Sequence, residues 1–197
     1  METIIKKITH TEEDKKIYEQ AGQILRAGGL VAFPTETVYG LGADALDAKA
    51  SAKIYAAKGR PSDNPLIVHI ADVNALYDLA KEVPDKALVL AEKFWPGPLT
   101  MILKKKDIVP DSITGGLGTV AIRMPSHPVA AELIRSSGVY IAAPSANTSG
   151  KPSPTRAEHV INDLSGKIDM IIQDDTVDIG VESTIIDLSE EVPTILR

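Results

Sequence analysis

The organisation of this chain follows from the segment Lys58-Gly59-Arg60-Pro61-Ser62-Asp63-Asn64-Pro65, which runs directly into Leu66-Ile67-Val68-His69-Ile70. Gly59, Pro61 and Pro65 prevent regular structure in the first part, whereas the β-branched second part is typical of a buried strand. The segment therefore predicts a polar loop held next to a packed strand, which is a common arrangement for a binding loop. A solvated turn with a lysine at a helix C terminus remains the alternative on this segment alone.

A helix is predicted just before this loop, over residues 48–58. Asp47 can cap its first turn, and Gly59 stands where a left-handed C-cap glycine belongs. Lys58 would then be the last helical residue. The predicted loop is thus held at both ends, by this helix and by the strand that follows.

Composition and charge narrow the class of protein. The chain has 197 residues, 44% of them hydrophobic, no cysteine and a net charge of −6. No apolar run approaches the roughly 20 residues of a membrane span, so we expect one soluble, cytoplasmic domain over residues 1–197. A net negative charge argues against a surface that coats nucleic acid, whereas cations gathered in the loops would favour a local cleft for a small polyanion.

Two further loops have the same layout as the first. Residues 30–33 and 139–143 are predicted strands, and they run into Pro34-Thr35-Glu36-Thr37 and into the polar segment 144–155. Ligand groups in open α/β sheets commonly follow strand ends. Between these loops, Gly40-Leu41-Gly42 lacks the third glycine of a dinucleotide-binding motif, and we predict a flexible turn there.

Residues 119–125 predict a strand with one polar face. Alternation places Thr119, Ala121 and Arg123 on one side, which we interpret as a face that binds a ligand. The alternative is an edge-strand arginine that reaches solvent. The acidic run from residue 174 to 178 could hold a divalent cation, but we favour a surface turn.

The remaining patterns predict an α/β fold with a mixed sheet, because strands alternate with helices early and lie closer together later. Further helices are predicted over residues 11–27, 72–81, 85–95, 127–135 and 155–164, and further strands over 99–103, 168–172, 183–188 and 194–197.

A series of separated motifs resembles the YrdC/Sua5 family along nearly the whole chain. The motifs are Pro34-Thr35-Glu36-Thr37-Val38-Tyr39-Gly40-Leu41-Gly42, Lys58-Gly59-Arg60-Pro61, Asn64-Pro65-Leu66, Pro96-Gly97-Pro98-Leu99-Thr100, Arg123-Met124-Pro125, Pro144-Ser145-Ala146-Asn147 and Glu182-Ser183-Thr184-Ile185. The resemblance implies a YrdC/RibB-like twisted open mixed sheet, flanked by helices, with a concave, positively charged cleft. It also implies an L-threonylcarbamoyladenylate synthase, which converts L-threonine, bicarbonate and ATP, with Mg²⁺, into threonylcarbamoyl-AMP and pyrophosphate. This product would serve the t6A modification of adenosine 37 in tRNA, so tRNA and the proteins of the t6A-transferase complex are implied downstream partners.

The resemblance also assigns site residues. It implies that ATP contacts Lys58, Ser62, Thr119, Ser145, Ser153 and Arg197. It implies that L-threonine contacts Thr35, His69, Arg123, Ser183 and the backbone of Ala143. Lys58, Arg60, Ser145 and Asn147 would be the catalytic signature, with no metal ligand assigned to the protein. We expect alanine at position 58 or 60 to abolish turnover and leave the fold intact. Without the resemblance, His69 would be interpreted as a hydrogen-bonded core histidine.

Two other functions are compatible with such a cleft. One is an RNA-binding or ribosome-maturation module, against which the net acidity and the aromatic content of 4% both count. The other is a carbamoyl-transfer domain of the kind found in hydrogenase-maturation proteins, which would use carbamoyl phosphate. That domain normally accompanies zinc-finger and acylphosphatase-like parts, which this sequence does not show.

Overall fold

The computed structural model describes residues 2–174 and 177–197. Within them lie seven α-helices: α1 (Lys15–Arg26), α2 (Ala48–Lys58), α3 (Ala75–Leu79), α4 (Asp85–Phe94), α5 (Asp111–Thr114), α6 (Pro128–Ser137) and α7 (Ala157–Leu164). The ten strands in the same residues are β1 (Ile4–Lys7), β2 (Val31–Phe33), β3 (Gly40–Asp44), β4 (Ile67–His69), β5 (Leu99–Lys104), β6 (Thr119–Arg123), β7 (Ile141–Ala143), β8 (Met170–Gln173), β9 (Thr184–Asp187) and β10 (Thr194–Ile195).

These strands form one mixed sheet in the order β1-β8-β2-β3-β7-β4-β6-β5-β9-β10. Four neighbouring pairs are parallel, namely β1/β8, β8/β2, β4/β6 and β5/β9. The other pairs are antiparallel. The structure therefore confirms the predicted α/β fold with a mixed sheet. Within the described residues, no helix has the length and apolar character that a bilayer crossing requires.

The two faces of the sheet carry separate apolar clusters. Val31 and Phe33 of β2 pack with residues of α1 and α6, whereas Ala32 between them belongs to the cluster that includes residues of α2, α4 and α7. Side chains alternate between the faces of a strand, so the two clusters lie on opposite sides. Among the described residues, α1 and α6 share their apolar cluster with β2, β7 and β8 but with none of β4, β5, β6 and β9, so the two helices leave that face of these four strands uncovered.

Helix α2 delivers the polar loop as predicted. The Asp47 carboxylate accepts a hydrogen bond of 2.8 Å from the backbone N–H of Lys49, and Gly59 ends the helix with φ of 62°. Both caps are local interactions that satisfy free backbone groups at the helix ends. Lys58 is the last helical residue, yet it is buried rather than solvated.

The prediction of a turn at Gly40-Leu41-Gly42 is wrong, because these residues begin strand β3, which pairs with β2 and β7. Glycine is required here by close packing instead of by a turn. A Cβ at Gly42 would lie 2.7 Å from Ile141 Cγ2 and 2.8 Å from Phe33 Cε1. Both neighbouring side chains are fully buried in the packed core, so they cannot move aside to accommodate a Cβ.

Alanine at position 42 is expected to lower the free energy of unfolding by about 1–3 kcal/mol, the usual cost of overpacking a core. Chemical denaturation measures this change. Gly118→Ala is the matched control, since a Cβ there would meet no heavy atom within 4 Å. Equal stability of the two variants would contradict the packing explanation.

Two other differences from the predicted elements have tertiary causes. The helix predicted over residues 72–81 comprises only Ala75–Leu79, because the backbone of Ala80 forms a β-bridge with Lys105. Strand β1 is absent from the prediction, and its side chains show no clear alternation. It exists because Ile4–Lys7 pairs in parallel with β8, far away in sequence.

Candidate active site

An open cavity of about 280 Å³ lies on the uncovered face of the sheet. Its floor comes from β4, β5, β6, β7 and β9, and its rim comes from the loops that follow α2, β2 and β7. The predicted polar loops therefore converge on one site. The cavity wall also includes Leu196 and Arg197 at the far end of the chain.

The cavity wall contains eight of the residues predicted for the site. These are Thr35, Arg60, His69, Arg123, Ala143, Ser145, Ser183 and Arg197. All five residues implied for L-threonine are among them. Lys58, Ser62, Thr119, Asn147 and Ser153 lie outside the wall. The structure thus separates the predicted residues into a lining group and a group that lies behind or beside it.

Arg123 is the most constrained cation of the wall. Its Nη1 donates a hydrogen bond of 2.9 Å to Thr37 Oγ1, its Nε lies 3.4 Å from the Gly97 carbonyl, and its Nη2 lies 2.7 Å from Glu36 Oε1. Strand β6 lies between β4 and β5, so the alternative of an edge-strand arginine is wrong. A planar guanidinium held in this way suits a carboxylate ligand, because its fork matches two oxygens.

The loop after β2 is folded by its own hydroxyls. Thr35 Oγ1 donates a 2.6 Å hydrogen bond to the Val38 carbonyl and accepts from the backbone N–H groups of Thr37 and Val38, each at 3.2 Å. The hydroxyls of Thr35 and Thr37 lie 3.0 Å apart. These bonds fix the short segment after Pro34, and both threonines line the cavity.

His69 lies beside Arg123 across the β4/β6 ladder and lines the cavity although it is only 4% exposed. Its Nδ1 lies 3.1 Å from the Ile67 carbonyl, and its ring meets the edge of Phe33 at 6.2 Å between centroids. Burial, and then the positive charge of Arg123, lowers the pKa of His69 to about 3. The imidazole is therefore neutral at physiological pH, and His69 belongs both to the core and to the wall.

The low pKa of His69 predicts an acid-dependent loss of stability. As the pH falls below about 6.5, His69 becomes protonated in the unfolded chain, whereas in the folded state it stays neutral until about pH 3. We therefore expect the wild type to lose about 1.4 kcal/mol per pH unit in this window relative to His69→Gln. Denaturant unfolding between pH 6.5 and 5 measures the slopes. His159→Gln, at an exposed position of α7, is the control, and identical slopes for wild type and His69→Gln would refute the prediction.

Lys58 lies one layer behind the wall and holds the loop after β7. Its side-chain ammonium donates to the carbonyl of Ser145, to the carbonyl of Asn147 at 2.5 Å and to Asn147 Oδ1 at 3.2 Å. Ser145 Oγ donates a further bond of 2.6 Å to the same Oδ1. Burial, followed by the charge of Arg60, lowers the pKa of Lys58 to about 8. In this arrangement Lys58 and Asn147 orient Ser145, and Lys58 itself does not reach the cavity.

Arg60 and Arg197 are the cations at the rim. Arg60 donates 3.2 Å from Nη2 to the Pro65 carbonyl, while its buried Nε has no hydrogen-bond partner within the described residues. Arg197 pairs with Glu182 and donates 2.9 Å from Nε to the Ser183 carbonyl. With Arg123, they bring three guanidinium groups to the wall, whose one acidic side chain among the described residues is Glu182.

The other predicted ATP contacts are less close to the cavity. Ser153 reaches it indirectly, because its hydroxyl donates a 2.9 Å bond to Glu182 Oε1. Thr119 is half-buried on the same strand as Arg123 but at its opposite end, and Ser62 is exposed in the loop after α2. Their assignment to ATP, like the predicted positive charge of the cleft, stays a prediction.

Comparison with known proteins places this site in a family. A model named for the Sua5, YciO and YrdC proteins, with the description "Telomere recombination", matches residues 23–197. This chain belongs to the Sua5/YciO/YrdC family. The matched range contains every residue of the cavity wall, so the family similarity extends over the whole candidate site.

Individual Sua5/YrdC relatives agree with this placement. The threonylcarbamoyl-AMP synthase of Pyrococcus abyssi is 58% identical over 195 residues, which cover 99% of this chain and 57% of that protein. The threonylcarbamoyl-AMP synthase of Bacillus subtilis is 59% identical over 179 residues, which cover 90% of this chain and 52% of that protein. The crystal structure of P. abyssi Sua5 complexed with L-threonine superposes with a TM-score of 0.94 and 55% identity, over 100% of this chain and 57% of that one. The predicted family and fold are thus confirmed, and the chain spans about half the length of these relatives.

The sequence prediction assigned no specific role to three polar residues of this Sua5/YrdC site, although it placed Glu36 and Thr37 in a loop expected to carry ligand groups. Thr37 and Glu182 line the cavity, and Glu36 pairs with Arg123 from behind. All three stand inside motifs that carry the family resemblance, within two residues of Thr35 or Ser183. That adjacency is the signal that could have found them. Among the described residues no cluster of three or more His, Asp or Glu is placed to hold a metal ion, and the acidic run discussed above includes residues 175 and 176, which lie outside the described part.

Proposed function

We propose that this chain is a threonylcarbamoyl-AMP synthase, which joins L-threonine, bicarbonate and ATP and releases pyrophosphate. The observation that carries the proposal is that three arginines and two hydroxyl side chains line one cavity. They are Arg60, Arg123, Arg197, Thr35 and Ser183. The name of the relatives that are nearly 60% identical to this chain supports the same activity. The crystal structure of P. abyssi Sua5 in complex with L-threonine supports L-threonine as the amino acid substrate.

The proposed reaction needs two bond-forming steps. The neutral amine of L-threonine attacks the carbon of bicarbonate, a C–N bond forms, and water is lost to leave a carbamate. A carbamate oxygen then attacks the α-phosphorus of ATP, an O–P bond forms, and the bond from that phosphorus to the bridging oxygen of the β-phosphate breaks. The electron pair leaves with pyrophosphate. Such chemistry depends on positioning and on neutralised phosphate charge, so it requires no nucleophilic side chain.

The cavity offers suitable groups for each substrate. Arg123, on the floor, suits the carboxylate of threonine, with Thr35, Ser183 and the backbone of Ala143 near it on the same wall. Arg60 and Arg197, at the rim, suit the phosphates of ATP, and the loop held by Lys58 presents Ser145. Direct contacts of ATP with Ser62, Thr119 and Ser153 remain part of this proposal.

The residues of the cavity wall could hold Mg²⁺ only together with the phosphates of bound ATP. Mg²⁺ at nucleotide sites is usually held by one or two carboxylates together with substrate phosphates. The described residues contain no three-ligand cluster, and Glu182 is the carboxylate of the wall. When bound, the ion would neutralise charge on the triphosphate, and Glu182 is the residue placed to help hold it.

The product would be used outside this chain. We infer that threonylcarbamoyl-AMP feeds the t6A modification of adenosine 37 in tRNA, which makes tRNA and the transferase complex downstream partners. A cytoplasmic location agrees with that use.

The deciding experiment is incubation with ATP, Mg²⁺, labelled bicarbonate and single amino acids, with pyrophosphate release and an acid-labile labelled adenylate as readouts. We expect both signals to require L-threonine and to fall about tenfold or more with L-serine, since a pocket fitted to the methyl group gains from it. Carbamoyl phosphate in place of bicarbonate and amino acid tests the carbamoyl-transfer alternative. Pyrophosphate release that ignores the amino acid would remove the proposed function, and tight binding of structured RNA without any turnover would favour the RNA-binding alternative.

A further inference from the structure

Glu36 is a buried carboxylate that neither the sequence motifs nor the cavity wall assign to a substrate. Its side chain is 5% exposed and lies 2.7 Å from Nη2 of Arg123, whose side chain is also 5% exposed. Buried ion pairs are weak contributors to stability, because desolvation offsets most of their attraction. Placement of such a pair directly behind the floor of the cavity therefore points to a role at the site.

The contacts of Arg123 show what that role is. Its guanidinium is held by three contacts from two segments of the chain, Glu36 and Thr37 in the loop after β2 and the Gly97 carbonyl. A guanidinium has five N–H groups, so three contacts leave N–H groups free for a ligand in the cavity. The three contacts fix the plane of the guanidinium, and that plane sets the direction in which the remaining N–H groups point.

We propose that Glu36 is a positioning residue that orients the Arg123 guanidinium for the carboxylate of the amino acid substrate. This inference rests on the proposed function. Glu36 acts through Arg123, because Arg123 lines the cavity and Glu36 does not. The range of orientations open to an arginine side chain is large when it is unrestrained, so restraint in advance lowers the cost of binding.

A role for Glu36 as the base that deprotonates the substrate amine is not supported. Its carboxylate lies against the Arg123 guanidinium, and Glu36 is not among the residues of the cavity wall. Burial, the largest single influence, raises the pKa of Glu36, but the charge and hydrogen bond of Arg123 together with backbone hydrogen bonds from Glu36 and Ser126 outweigh it, so the net pKa lies below its ordinary value. A carboxylate with a lowered pKa is a weak base, which suits a permanent partner for a cation.

The test is the binding of L-threonine and, separately, of α,β-methylene ATP by calorimetry, in the wild type and in variants at position 36. Glu36→Ala should weaken L-threonine binding about tenfold or more and change nucleotide binding less than twofold. Glu36→Gln should restore threonine affinity to within about threefold of wild type, because the amide oxygen can take the place of Oε1 beside Nη2. Glu92→Ala, at an exposed position of α4, is the control.

Each outcome decides the matter. Restoration by glutamine supports positioning, because a purely electrostatic role would leave Glu36→Gln as weak as Glu36→Ala. Threonine affinity unchanged in Glu36→Ala, or an equal loss for both ligands, would overturn the inference and leave the proposed function standing. If Glu36→Ala does not fold, Glu36→Asp replaces it, since its shorter side chain withdraws the carboxylate while keeping the charge. A wild type that binds no L-threonine would overturn the proposed function, and this inference with it.

Discussion

Alanine at position 58 is expected to lower the free energy of unfolding by about 3 kcal/mol and to abolish adenylate synthesis. Lys58 is 2% exposed, and its ammonium bonds two backbone carbonyls and the Asn147 side chain. Removal of the ammonium takes this donor away from the two carbonyls, whereas Asn147 Oδ1 keeps its bond from Ser145 Oγ. A buried acceptor left unpaired costs about 1–3 kcal/mol. The Ser145 loop then loses its anchor. Urea unfolding and the pyrophosphate assay measure the two effects.

This expectation revises the role that the family resemblance implies. A direct phosphate ligand could be removed with the fold intact, whereas the anchor of a buried loop could not. Lys49→Ala is the control, because Lys49 is an exposed lysine on the same helix. Wild-type stability of Lys58→Ala together with a complete loss of activity would show that Lys58 contacts the nucleotide after all.

Lysine at position 123 is expected to weaken L-threonine binding about 100-fold or more. The change keeps the positive charge but removes the planar fork, which now meets Thr37, Glu36 and Gly97 at once. A single ammonium can neither reproduce those three contacts nor offer two parallel N–H groups to a carboxylate. A 100-fold loss corresponds to about 2.7 kcal/mol. Calorimetric titration with L-threonine measures it.

The control for this second substitution is Arg135→Lys, which makes the same chemical change at an exposed position of α6. Binding of α,β-methylene ATP should remain within about threefold in Arg123→Lys if the arginine serves the amino acid. A similar loss for both ligands would instead place Arg123 in the nucleotide subsite.

Elements whose signals are local were predicted well. The helix that ends at Lys58 has the predicted bounds, because its caps involve only Asp47 and Gly59 and their immediate neighbours. The alternation of β6 correctly separated Arg123 from the buried Val120 and Ile122. Capping hydrogen bonds and the alternation of side chains along a strand involve residues close together in the chain, so they can be recognised from the sequence alone.

Elements that depend on distant partners were missed. Strand β3 needs a glycine at position 42 because Phe33 and Ile141 from neighbouring strands occupy the space of a side chain. Strand β1 forms on β8, about 165 residues later in the chain. No pattern inside either segment records these partners.

The sequence by itself determined the bounds of α2, the three polar loops and the family to which the chain belongs. Only the tertiary structure decided which polar residues face one another: Glu36 and Thr37 on Arg123, and Lys58 on the Ser145 loop instead of on the cavity. The reason is physical. Burial and charge compensation depend on distances between segments far apart in the chain, and those distances arise only when the sheet brings the segments together.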